Sequence, residues 1–347
     1  MRIHRLLIPA VMLFAALGVP AAAGERILHV YTWDSYFDQE AIRRFEERNG
    51  CSVEFNYYDS NETMHQTLRA GGGYDVITPP PNTAAALYAE GLLRRLDHAR
   101  LPNLEHLERG TPVLGQDPML MYSVPYTVTV TGVGYNRELV AADATGSWAI
   151  FADARYRGKM TLLNDMREAL GAGLKYLGYG INSVDPEEVR AAGDVVEAWK
   201  VNIAAFEVDA AQKGLRDGKF LAIQAYNGDI ALIIDEHPEI GFFVPAEGSA
   251  LNADCFVIGS DSEDADLAHA FINHFLDPEI AAMNMESTYY YMPNTGAIEK
   301  ISPRLRNNPA FDIPADIVAK CELILNLGAK HSLYDAAWEE VLFGTGD

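Results

Sequence analysis

Past Gly24 the chain has no apolar run long enough to cross a bilayer as a helix, and that absence argues against a permanent transmembrane anchor. Cysteine is scarce. Cys51, Cys255 and Cys321 can close at most one disulfide, so at least one thiol is expected to stay free. No CxxC pair or Cys/His cluster occurs, so neither a metal nor a cofactor is expected. Positive charge is also in deficit, with 27 Lys and Arg against 49 Asp and Glu and a formal net charge of −22. Such a surface repels nucleic acid and anionic headgroups and steers cations inward. The sequence patterns of common enzyme classes are missing as well: GxSxG, HExxH and GxGxxG do not occur. The stretch Gly214-Leu215-Arg216-Asp217-Gly218-Lys219 is one residue too short for a P-loop and lacks the following Ser or Thr.

What is present begins with an export signal. Residues 1–23 combine a basic start (Arg2, His4, Arg5), an apolar run from Leu6 to Val19 and Ala21-Ala22-Ala23 before Gly24. The mature protein is therefore expected in the periplasm, without a lipidated N-terminal cysteine because the first cysteine is Cys51. Loss of Arg2 and Arg5 takes the charge from −22 to −24 (−22 − 2). The roughly 320 residues that remain exceed the usual size of one core, so two domains are expected.

Strand-like and helix-like stretches alternate from the start. Ile27–Thr32 and Ser52–Tyr57 read as strands, Asp38–Arg48 as an amphipathic helix closed by Gly50, and Asp59-Ser60-Asn61-Glu62 as a capping box opening a helix through Arg69. Asp75–Thr78 reads as a third strand, with Asn82 placed to cap the helix to Glu90. This βαβαβ order implies a parallel sheet and an α/β fold. Later strands are expected at Val128–Tyr135, Lys159–Leu163, Leu221–Tyr226, Ile240–Val244 and Cys255–Ile258, and helices from Met166, over Pro186–Asn202 and over Asp264–Leu276.

Polar and aromatic side chains gather at the ends of these strands, where open α/β sheets form ligand crevices. Trp33, Asp34, Ser35 and Tyr36 follow the first strand. Two aromatic faces beside a carboxylate suit an organic cation, because the ring quadrupole and a charged hydrogen bond both favour an ammonium. Locally the same residues read equally well as core aromatics and a helix cap. Asp165 and Glu168 stand three apart at a helix start, where acidic residues also simply complement the helix dipole. Tyr226 and Asp229 share that spacing after a strand, and Asp254 is expected just before one. Carboxylates with aromatics also suit sugars, so a glycoside hydrolase using paired carboxylates is the enzymatic alternative.

Taken in order, the runs Tyr31-Thr32-Trp33-Asp34-Ser35-Tyr36, Ser60-Asn61-Glu62-Thr63-Met64, Tyr74-Asp75-Val76-Ile77, Val124-Pro125-Tyr126, Asp165-Met166-Arg167-Glu168 and Tyr226-Asn227-Gly228-Asp229 resemble the periplasmic substrate-binding proteins of spermidine/putrescine ABC transporters. The resemblance implies a two-lobed type II periplasmic binding fold with hinge strands and an interdomain ligand cleft. Lobe 1 would take residues 26–129 and 253–298, and lobe 2 residues 130–252 and 299–347. It implies that Trp33 and Tyr36 line the crevice with Asp34 near a terminal amine, that Asp165 and Glu168 bind amines, and that Asp254 clamps another nitrogen. Asp229 and Tyr290 match ligand-side positions, and Glu339 would stand where a polar amide is often found.

The chain departs from the family pattern at several of these points. Tyr226 replaces a tryptophan, Thr78-Pro79-Pro80-Pro81-Asn82 loses a hydroxyl and a ring, and Asn252 replaces another aromatic. The resemblance implies binding of a linear polyamine, the missing enzyme patterns imply no turnover, and a monomer is expected; with rings lost at Asn82 and Asn252 and more carboxylates than a diamine can use, a spermidine-like triamine is expected ahead of putrescine. The protein's partner would be a membrane permease complex or, alternatively, a membrane sensor receptor. Nucleic acid is not an expected partner.

Overall fold

The computed structural model describes residues 26–58, 60–109 and 116–344; the signal read from residues 1–23 and the Asp59 position of the capping box lie outside them. Among the described residues ten strands form one sheet: eight follow the order β2-β1-β3-β9-β4-β7-β5-β6, and β10 and β8 branch off it against β9 and β4. In chain order they are β1 Arg26–Thr32, β2 Cys51–Tyr57, β3 Val76–Ile77, β4 Val124–Asn136, β5 Met160–Leu162, β6 Ile203–Phe206, β7 Ala222–Tyr226, β8 Ile240–Phe243, β9 Ala250–Ile258 and β10 Glu322–Leu323.

The expected parallel pairing holds at both ends of this path. β1 pairs in parallel with β2 and β3, and β5 with β6 and β7. The middle is antiparallel, which the strand order alone did not predict. β9 runs against β3 and β4, and β4 runs against β7 and β8. β4 is long enough, at 13 residues, to serve both halves: Val124–Val130 pairs with β9, and Thr131–Asn136 with β7 and β8. β4 and β9 are therefore the strands through which the two halves are joined.

Local chemistry explains the elements that flank the junction. Helix α1, Gln39–Asn49, starts where the Asp38 carboxylate accepts the Ala41 N–H at 2.8 Å and ends where Gly50, at φ 58°, turns left-handed and donates to the Glu46 carbonyl. Helix α2, Asn61–Arg69, is capped by the Ser60 hydroxyl, which accepts from the Thr63 N–H. Helix α3, Pro81–Ala89, corrects the expected Asn82 cap. Pro80 is the N-cap and Pro81 fills the first helical position, where a missing N–H costs nothing, so Asn82 lies inside the first turn.

Helices α4, Met166–Tyr176, and α5, Pro186–Lys200, pack on the second half, and the C-terminal helix His331–Phe343 lies against both. Its buried Tyr334, Ala337 and Val341 join Trp148 and Trp199 in a core confined to that half, and Lys200 donates to the Val341 carbonyl near its last turn. The largest apolar cluster has a different reach. It runs from Leu28 and Phe45 through Tyr126 and Phe256 to Ile223, Ile230 and Phe242, so it passes beneath the joining strands without a break.

The remaining long helices are α6, Asp209–Arg216, α7, Asn227–Glu236, α8, Ala265–Phe275, and α9, Pro278–Thr288. All three cysteines are buried and unpaired. Among the described residues no helix is long and apolar enough to cross a membrane.

Candidate functional site

A cleft of about 930 Å³ opens along β4 and β9 between the two halves, lined by Trp33, Asp34, Tyr36, Asp165, Tyr226, Asp254 and Tyr290 of the expected site. The first wall is the turn after β1. Ser35 adopts φ 56°, and its N–H is accepted by the Asp34 carboxylate at 2.8 Å, which folds the chain sharply enough to send Trp33 and Tyr36 to the cleft. The turn is held from below. The Tyr126 hydroxyl donates to the Tyr36 carbonyl at 2.6 Å, and Asn284 donates to that hydroxyl while accepting the Asp38 N–H. Trp33 packs edge-on to the Tyr58 ring at 4.4 Å, and Tyr58 is itself fixed by donating to the Thr78 carbonyl.

Asp254 forms the floor. It lies in the middle of β9 rather than before a strand, a correction to the expected boundary. In register with Thr127 of β4, it accepts a short hydrogen bond from the Tyr36 hydroxyl, which also lies 2.8 Å from the Thr127 hydroxyl. Burial pushes the Asp254 carboxyl up to about 7, against the lowering effect of Tyr36 and Trp33. Among the described residues no Lys, Arg or His side chain forms an ion pair with Asp254. A half-buried carboxylate that lacks a countercharge favours a cation.

The opposite wall is built at the start of α4. Asp165 is the N-cap, and one of its oxygens accepts the N–H groups of Arg167 and Glu168 at 2.8 and 3.0 Å. The dipole role and the cleft position thus coexist in one side chain. Glu168 is only 2% exposed and stands behind the lining. Its Oε1 accepts from the Asn252 side-chain amide at 2.6 Å, and the buried Thr131 hydroxyl is a second polar neighbour of the carboxyl. Burial and the neighbouring Asp165 raise its carboxyl.

Tyr290 closes one end, its ring 5.5 Å from Tyr36. Gly228 in α7 permits this approach, since a Cβ there would come within 2.6 Å of the Tyr290 ring. Asp229 is placed outside the lining. It accepts from Gln212 at 2.9 Å and from the Tyr290 hydroxyl at 3.4 Å, so it holds Tyr290 in place.

Two further expected residues are not brought to the cleft. Ser35 is exposed in its turn, and its contribution is the backbone conformation. Glu339 is exposed on the C-terminal helix, which packs on the outer side of α4 and α5. That stretch of chain reaches the cleft instead through Leu323–Asn326 and His331.

Residues not singled out from sequence also line it, among them Thr127, Thr129 and Arg167. Thr127, Thr129 and Thr131 alternate along β4, a period of two that marks one polar strand face. Arg167 donates to the Leu325 carbonyl at 3.0 Å and to the Asn182 side chain at 2.8 Å, so it ties the 323–326 segment to α4.

A sheet split into two halves, joined by two long strands and cleft along them, defines the two-lobed solute-binding class. The family model for bacterial extracellular solute-binding proteins matches residues 40–313, and the chain belongs to that family. It is 31% identical to a putrescine/cadaverine-binding protein of Pseudomonas aeruginosa over 97% of this chain and 98% of the relative. It is 28% identical to the spermidine/putrescine-binding periplasmic protein of Escherichia coli, over 95% and 96% respectively. The crystal structure of a spermidine/putrescine ABC transporter substrate-binding protein from Streptococcus pneumoniae superposes with a TM-score of 0.85 at 28% identity, covering 92% of this chain and 99% of the other.

Proposed function

We propose that this protein binds a linear polyamine in the periplasm, without chemical turnover, and delivers it to the membrane permease of an ABC transporter. The observation that carries this reading is Asp254, a carboxylate on the cleft floor, raised to about 7 by burial and flanked by Trp33 and Tyr36. An ammonium placed there removes the burial penalty, and the Trp33 face buries an adjoining methylene. The residues around it supply charge and surface for further amines and methylenes: Asp34 at the mouth, Asp165 on the opposite wall, Tyr226 and Tyr290 between. Relatives named as spermidine/putrescine-binding and putrescine/cadaverine-binding proteins support the same class of solute.

In this reading residues 26–129 with 253–298 form one lobe and residues 130–252 with 299–347 the other. Support comes from β4 and β9, each of which passes through such a boundary, at 129/130 and 252/253. A cation bridging the Trp33 and Asp254 wall to the Asp165 wall stabilises the closed arrangement alone.

The test is thermal shift and calorimetry on refolded, ligand-free protein with putrescine, spermidine and a neutral sugar. Stabilisation by the amines is the expected result, because a ligand that binds only the folded state adds stability by mass action. A clear shift with the sugar and none with any amine overturns the reading.

A further inference from the structure

Helix α9 ends on a residue ill suited to its backbone. Tyr289 sits at φ 60°, a left-handed conformation that suits glycine, while its N–H donates to the Met285 carbonyl. The peptide that follows carries Tyr290 into the cleft. What holds the Tyr289 side chain lies outside the cleft lining. Its hydroxyl donates to Asp235 Oδ2 at 2.5 Å and accepts from Arg304 Nη1 at 2.6 Å, and the guanidinium stands 5.4 Å from the centre of its ring. Arg304, on the short helix Pro303–Arg306, also donates to Asp235 and, through Nη2, to Glu286 Oε2 of α9 at 3.2 Å.

Both ends of α7 are engaged by this pair of tyrosines. Gly228, in its first turn, leaves room for the Tyr290 ring and the Tyr289 carbonyl. Asp235, seven residues and about two turns further along the same face, holds the Tyr289 hydroxyl.

We propose that this network makes Arg304 a positioning residue for the ligand: by holding Tyr289 in the left-handed turn it fixes the Tyr290 ring in the cleft, without itself touching the ligand. The inference rests on the polyamine reading above. Without the network a tyrosine relaxes toward the right-handed or extended backbone. The 289–290 peptide then rotates, and the Tyr290 ring leaves its place 5.5 Å from Tyr36.

The test is calorimetry with spermidine on refolded protein, with circular dichroism confirming the fold of each variant. Arg304→Met is expected to weaken binding about 3- to 10-fold, within the range for residues coupled to a site they do not touch. In a Tyr290→Ala background the same change should cost less than about twofold, because the ring through which it acts is gone. Two truncations at position 289 separate the turn from the packing. Both remove the ring, but Tyr289→Gly adopts the turn unaided and should bind about threefold or more tighter than Tyr289→Ala, whereas lost packing alone gives glycine no advantage. In the ligand-free protein, NMR of 13C-labelled tyrosine should show the Tyr290 ring signals displaced by Arg304→Met.

Unchanged spermidine affinity in a folded Arg304→Met protein overturns the proposal. So does an equal cost in the Tyr290→Ala background, which would have Arg304 act on something other than that ring, or Tyr289→Gly binding no better than Tyr289→Ala. Failure of the wild type to bind any amine removes the polyamine reading instead. The ligand-free spectra then decide the positioning role by themselves, and Tyr290 signals left unmoved by Arg304→Met remove it as well.

Discussion

The two walls of the cleft use carboxylates in opposite ways. On the β9 floor, Asp254 faces the cleft directly, embedded among Trp33, Tyr36 and Thr127 and raised to about 7 by burial. On the α4 wall the exposed Asp165 presents itself while half committed to capping a helix, and the buried Glu168 stands behind an amide. One wall offers a bare, poorly solvated charge beside aromatic faces. The other offers a helix-capping carboxylate and a buried carboxyl hydrogen-bonded to a neutral amide. The difference teaches that counting acidic residues overstates the direct contacts available to a cation: burial and prior hydrogen bonds decide which oxygens are free.

The largest effect expected from this contrast is at Asp254. Asp254→Asn should weaken polyamine binding by about 1.5 to 3 kcal/mol, roughly 10- to 150-fold, measured by calorimetry with circular dichroism confirming the fold. A loss smaller than that of Asp165→Asn would reverse the ranking of the two walls.

Titration sharpens the same point. The Asp254 carboxyl is held up to about 7 in the folded protein, so at lower pH it is protonated and must release its proton before it can pair with an ammonium. Affinity should therefore fall about 10- to 30-fold between pH 8 and pH 5.5, with proton release visible as a buffer-dependent heat. The ligand-free protein should show the converse. A folded pKa above the unfolded value favours the folded state while the group is protonated, and that contribution fades as pH rises from about 4 through about 7. Asp254→Asn should flatten both profiles, as followed by calorimetry and by melting temperature.

Trp33→Ala should weaken binding by about 1 to 2 kcal/mol, the scale of a desolvated cation-π face, and Trp33→Phe by less. The smallest effect is expected from Glu339→Gln. Exposed on the C-terminal helix, Glu339 should leave the dissociation constant within about twofold of wild type, since distant exposed charges are screened. A larger change in a calorimetric titration would bring that helix into the site.

Much of the framework was legible in advance because its signals are local. Asp38 and Gly50 delimit α1, Ser60 caps α2, and the apolar runs at Ile27–Thr32 and Leu221–Tyr226 became β1 and β7. The turn carrying Trp33, Asp34 and Tyr36 could be read too, because a strand end followed by a capped helix leaves few directions for the chain. Asp254 was misplaced to a strand boundary because its burial against Tyr36 and Thr127 involves residues far away in sequence. The Glu339 position could not be read from the helix sequence, which does not say which face packs on α5. Asp229 and Glu168 carry the same lesson: each has the expected residue type close to the site, yet its oxygens answer to Tyr290 and Asn252.

By itself the sequence determined the alternation of strands and helices and the acidic and aromatic character of the loops at strand ends, while the class of solute was implied by the resemblance of its ordered runs to a known family. Periodicity, capping and net charge act over a few residues or over the whole surface, and both scales can be read without coordinates. Only the tertiary structure decided that β4 and β9 run antiparallel through the middle, that among the described residues no Lys, Arg or His pairs with Asp254, and that Glu168 is hydrogen-bonded to Asn252. Desolvation and hydrogen-bond allocation depend on which distant residues come within 3 Å or so of one another, and strand pairing across the whole chain settles that.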